Sequence, residues 1–124
     1  HFIETIAFDA DDIFNPDISG VGGIIDMIKI IKLSHEKKVT VSPHCWNSMS
    51  IAASAMVHVC MSFTNTEMAE FFPEYIPYSL KFSNQNYEIK DGFVKIEDNE
   101  GLGINIDTKL LMEDTSSYRE TELT

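Results

Sequence analysis

The sequence predicts an α/β protein whose parallel sheet gives way, after Pro73, to an antiparallel hairpin. Two observations carry this. Residues 1–72 alternate strand, helix, strand, helix, strand, with strand ends about 27 residues apart and room for a full helix between them. Beyond Pro73, the run from Tyr87 to Ile96 alternates apolar and polar residues around Asp91-Gly92, a strong two-residue hairpin signal.

Taken in order, FIETIAF (2–8) reads as the end of a helix, and DDIFNPD (11–17) as a short buried strand ending at Asp17, with Pro16 tolerated at a strand end. SGVGG is a turn. From Gly23 to Lys38, Ile24, Met27, Ile28 and Ile31 recur at three- and four-residue spacing, as an amphipathic helix requires, and Lys37 and Lys38 suit its C-terminal end. Val39 to Ser42 is a short β-branched strand closing at Pro43-His44. Ser48 to Phe63 is an Ala-rich helix, and Glu67 to Phe71 a third short strand. After the hairpin, GLGINIDTKLLMED is a short extended segment, followed by a polar tail.

Composition narrows the function. The chain has 124 residues with Lys+Arg 9 against Asp+Glu 20, a formal net charge of −11. Such an acid excess repels phosphate backbones and anionic lipid surfaces, so neither nucleic acid nor a membrane surface is an expected partner. Two cysteines, Cys45 and Cys60, without a signal-peptide pattern point to a reducing, cytoplasmic setting. Neither apolar run, Gly22 to Leu33 or Ile51 to Met61, approaches the roughly 20 uninterrupted apolar residues of a membrane span. His1 falls inside an apolar-periodic stretch, which suggests a fragment.

Asp17, His44 and Glu70 end the three predicted parallel strands. In β/α architectures this is the edge where active sites are assembled, because each strand delivers its terminal side chain to a common mouth. An Asp beside a His fixes the imidazole tautomer and stabilises its charged form, as a general base needs. A carboxyl on the third strand could hydrogen-bond a charge developing on a substrate, provided it stays protonated. Each residue also has a plain structural reading. Asp17 could be a turn residue before SGVGG, His44 a satisfied structural histidine, and Glu70 a solvated acid near Glu67 and Glu74.

Other candidates are weaker. His58, Cys60 and Cys45 are metal-type ligands without the paired spacing of a zinc site. Trp46 could wall a substrate pocket or cap a core. Gly20, Gly22 and Gly23 fall between strand and helix but do not complete a phosphate-binding fingerprint, and His35 reads as a surface residue.

The run NPDISGVGGIIDMIKIIKLSHEKKVTVSPHCWNSMSIAASAMVHV, then AEFF, then DGFVKIEDNEGLGINID, resembles the C-terminal part of the mandelate racemase/muconate lactonizing enzyme family of the enolase superfamily. The matching pieces are Asp17 with Gly22 and Gly23, His44 in SPHCW, Ala52, Ala53 and His58, Glu70, and a GLGINID segment in which Glu100 stands where the family has Pro. The resemblance implies the last three strands of a (β/α) TIM-type barrel with their helices (1–72), a C-terminal hairpin segment that would pack on a capping domain (73–112) and a polar tail (113–124). It implies further that Asp17 orients His44, that His44 is the general base or acid, and that Glu70 hydrogen-bonds an enolate formed by proton abstraction α to a carboxylate. Mg²⁺ stabilises that enediolate in the family, and its ligands, with an opposing Lys-x-Lys base, are expected upstream of His1.

The resemblance implies a Mg²⁺-dependent sugar-acid dehydratase, with a racemase, epimerase or cycloisomerase as the alternative. The isolated chain is expected to be inactive and, with an open sheet edge, to self-associate. A reading of another class is a stand-alone, non-catalytic acidic interaction domain.

Overall fold

A computed structural model of the protein describes residues 4–5, 13–45, 50–66, 68–84 and 87–114. Strand β1 (Ile13–Phe14) pairs in parallel with β2 (Thr40–Val41), Ile13 opposite Thr40 and Phe14 opposite Val41. An isolated parallel bridge between Asp17 and His44 continues the same register. One face of the pair is buried, with Phe14, Pro16, Ile18, Val41, Pro43 and Cys45 turned towards the helices. The other is open: Ile13 is 51% exposed, and Asp17, Thr40, Ser42 and His44 are only half-buried. The strand expected to be buried is therefore covered on one face only.

Helix α1 (Ile24–Glu36) connects the two strands. Its inward stripe is Met27, Ile31 and Ser34, all fully buried, whereas Ile24 and Ile25 near its start are exposed. Ser34 is tolerated there because its hydroxyl donates to the Ile30 carbonyl at 2.8 Å. The helix closes in a Schellman arrangement: the Lys38 N–H donates to His35 O at 3.0 Å and the Val39 N–H to Ser34 O at 2.9 Å. Lys38 occupies the left-handed position (φ 61) that ordinarily favours glycine. Since a side chain there costs roughly 1–2 kcal/mol, Lys38→Gly is expected to stabilise the fold by up to ~1 kcal/mol, read as a rise in Tm.

Helix α2 (Ser50–Met61) is apolar all round and buried at Ala53 to Val57 and again at Val59. Buried Ser54 donates its hydroxyl to the Leu102 carbonyl at 2.8 Å, which ties the GLG turn to the helix. A short 3-10 turn (Pro73–Tyr75) and helix α3 (Ile76–Ser79) lead into the hairpin, β3 (Tyr87–Lys90) and β4 (Phe93–Ile96), closed by Asp91 and Gly92 as the sequence predicts. Tyr87, Val94 and Ile96 pack on the same core as Met27, Ile31 and Met56.

The structure corrects two expectations. The TKLLME stretch is a helix, α4 (Thr108–Glu113), whose N-cap Asp107 accepts from the Leu110 N–H at 3.0 Å. The segment expected to be the third strand forms no regular strand among its described residues. It runs beside β2 through two main-chain bonds, Val41 N–H to Asn65 O and Glu70 N–H to Pro43 O. Pro43 has no N–H with which to continue a ladder. The expected N-terminal helix lies outside the described residues except for Glu4 and Thr5, which are helical. No helix among the described residues is long and apolar enough to cross a membrane.

Candidate active site

Asp17, His44 and Glu70 meet at one edge of the sheet. Asp17 follows β1 at a turn in which its carbonyl accepts from the N–H groups of Gly20 and Val21. Its carboxylate is held from both sides: Oδ1 accepts the Ser19 N–H at 2.7 Å and Oδ2 lies 3.0 Å from His44 Nδ1. His44 is fixed by its own main chain, whose N–H donates to Pro16 O at 3.0 Å.

An ionised carboxylate only accepts hydrogen bonds, so the contact with Asp17 places the imidazole proton on Nδ1 and leaves the Nε2 lone pair as the basic site. Nε2 lies 3.5 Å from Glu70 Oε2. That same oxygen accepts the Cys45 N–H at 3.1 Å, which pins the carboxyl beside the ring. Glu70 Oε1 has no hydrogen bond among the described residues. Side-chain exposures of 20, 29 and 39% for Asp17, His44 and Glu70 place the trio at a solvent-reachable mouth. A base with a defined tautomer and a carboxyl aimed at the same space can move one proton and hydrogen-bond the charge left behind.

The sequence reading missed the main-chain partners, the Ser19 and Cys45 N–H groups, because backbone donors leave no mark on residue type. It also missed Asn65. The Asn65 side-chain amide donates to Ile31 O at 3.1 Å and Val39 O at 3.4 Å, pinning the start of the third segment to α1 and β2. Trp46, a candidate pocket wall, lies outside the described residues.

The alternative ligands do not converge. His58 Nδ1 donates to the Ser54 carbonyl at 2.8 Å, within its own helix. Burial pushes the Cys60 thiol from the ordinary 9.0 up to about 12, so it stays protonated and is a poor nucleophile and metal ligand. An unfolded thiol ionises at lower pH than the buried one, so the folded state loses stability as pH rises from the ordinary thiol range towards about 12. Urea unfolding at neutral and alkaline pH checks the direction, and replacing Cys60 with Ala should flatten this dependence.

Among the described residues no group of three His, Cys, Asp or Glu side chains is arranged to hold a metal ion. Asp17 and Glu70 are already committed to His44, Ser19 and Cys45. The described residues therefore provide no site for the Mg²⁺ that the resemblance implies.

The family described as enolase C-terminal domain-like matches residues 1–110. Among solved structures, an enolase from the environmental genome shotgun sequencing of the Sargasso Sea is 51% identical, with a TM-score of 0.86, over 91% of this chain and 30% of that one. The D-galactarolactone cycloisomerase of Agrobacterium fabrum (strain C58 / ATCC 33970) is 29% identical over 89% of this chain and 31% of its own length. The D-galactonate dehydratase of Verminephrobacter eiseniae (strain EF01-2) is 28% identical over 82% of this chain and 28% of its own length. The chain thus spans about a third of the length of the curated relatives it matches. Sequence, fold and family match agree: the chain belongs to the enolase C-terminal domain-like family, as a C-terminal part of a mandelate racemase/muconate lactonizing enzyme protein.

Proposed function

We propose that the full-length protein carrying this chain is a dehydratase of sugar acids, with His44 as its proton-transfer group. The observation that carries this reading is the 3.0 Å Asp17–His44 contact, which leaves Nε2 basic and directed at the mouth beside Glu70. Nε2 takes the proton α to the substrate carboxylate, and Asp17 stabilises the imidazolium that results. Glu70, in its protonated form, donates a hydrogen bond from Oε1 to the enediolate oxygen. The imidazolium then returns its proton to the departing β-hydroxyl, which leaves as water, and the enol tautomerises to the 2-keto acid. Mg²⁺, held by residues beyond the described ones, would supply charge stabilisation to the enediolate.

A screen of sugar acids with the full-length protein and Mg²⁺ tests this directly, and formation of a 2-keto product is the expected result. The similarity to a galactarolactone cycloisomerase supports the alternative, an isomerase of the same family. That alternative shows α-proton exchange with solvent or a rearranged lactone, and no keto product. Absence of turnover and of exchange with every acid would leave the non-catalytic binding domain standing.

The 124-residue chain alone is expected to be inactive and to self-associate. Phe93 is 79%, Ile25 66%, Met61 58% and Met68 57% exposed, and apolar surface of this kind favours association. Sedimentation velocity over a concentration series measures it, and a concentration-independent monomer contradicts it.

A further inference from the structure

The third segment holds one residue more than a regular ladder would need, and that residue decides which way Glu70 points. Val41 donates to Asn65 O, which sets Thr66 opposite Val41, whereas the Glu70 N–H on Pro43 O sets Ala69 opposite Pro43. Two residues of advance along β2 are thus matched by three along the other segment, which is the signature of a β-bulge.

The side chains agree. The Thr66 hydroxyl reaches the carbonyls of Cys60 and Phe63 on the helix side. Ala69 and Phe71 pack against the same buried core, while Met68 is 57% exposed and Glu70 reaches His44 on the open face. Unbroken alternation from Thr66 would instead put residues 68 and 70 on the helix side and Ala69 beside His44.

We propose that this extra residue is a register device that delivers Glu70 to the Asp17–His44 edge, with Pro43 as its counterpart. Because Pro43 offers no N–H, β2 loses no hydrogen bond where the ladder slips. The Cys45 N–H, next along β2, is taken by the Glu70 side chain itself, which locks the shifted register. Thr66, Ala69 and Pro43 are positioning residues here. The inference rests on the proposed role of Glu70, so its test must read register without turnover.

In full-length protein with Cys45 and Cys60 replaced by Ser, paired cysteines report the register. Laterally opposite residues in adjacent strands lie about 4.8 Å apart, within disulfide reach. H44C with E70C is expected to form a disulfide under mild oxidation, and H44C with A69C is not. The reverse result overturns the proposal.

Turnover gives a second arm. Deleting Met68 makes the ladder regular and keeps Glu70 opposite His44, so activity is expected to survive. The swap A69E/E70A is expected to lose about 10²–10³-fold in kcat, like E70A alone. Restored activity in the swap overturns the register. A 44–70 disulfide in a protein whose turnover ignores Glu70→Gln overturns the role given to Glu70 and leaves the register intact.

Discussion

His44→Asn is expected to lower kcat of the full-length enzyme by about 10²–10⁴-fold while leaving the fold intact. The main-chain N–H that donates to Pro16 O remains, and the side chain sits at a half-exposed mouth, so little packing is lost. An Asn amide still reaches Asp17, but it has no lone pair of imidazole basicity at the Nε2 position and cannot accept a proton at neutral pH. Both halves of the chemistry should fail together, removal of the α proton and protonation of the leaving hydroxyl. Solvent-deuterium exchange at the α carbon reports the first step alone. It is expected to disappear in parallel with keto-acid formation, at unchanged Tm. Exchange that persists in the Asn variant assigns the base to another residue, and turnover equal to wild type removes His44 from the mechanism altogether.

How much of this site could be read from residue types follows from what parallel sheets do. Consecutive strands in βαβ units point the same way, so polar residues at matched strand ends reach one edge, and Asp17 and His44 were legible from spacing alone. Helix α1 was legible because its apolar residues recur at three- and four-residue spacing, and helix α2 because its stretch is rich in alanine. Helix α4 was not, since six residues give too short a period to separate it from an extended segment. Its one sequence signal was Asp107 ahead of Leu110 and Leu111, a cap that only the folded backbone makes visible.

The third segment failed for a different reason. Glu67 to Phe71 carries no β-branched residue, and nothing in its composition announces an extra residue. The slip shows only in how the segment pairs with its neighbour, between the bonds at Val41 and Pro43, and such a relation between strands cannot be read from either strand separately. The position of Glu70 was therefore anticipated while the backbone route that places it there was not.

Asp17 supplies a sharper test than removal of a charge, because its two oxygens have different duties. Oδ1 accepts the Ser19 N–H at 2.7 Å and Oδ2 faces His44 Nδ1 at 3.0 Å. In Asp17→Asn the Ser19 N–H still requires an acceptor, which fixes the amide oxygen on that side and turns the NH₂ group towards Nδ1. The imidazole must then accept at Nδ1 and carry its proton on Nε2, the wrong tautomer for a base. Asp17→Ala removes the carboxylate without imposing a tautomer, so a fraction of His44 keeps a basic Nε2. Asn is therefore expected to lose about 10²–10⁴-fold in kcat, by analogy with the wrong-tautomer effect in catalytic triads, and Ala to lose less. KM should change little in either variant, because Asp17 acts through His44 and not on the substrate. Stability should follow the opposite order: Ala loses the turn acceptor at Ser19, at about 1 kcal/mol, and Asn keeps it. If Asp17 were only a turn residue, Ala would be the worse variant in both activity and Tm. An inversion between the two measurements, Asn more stable and less active, is the result that separates orientation of a base from maintenance of a loop.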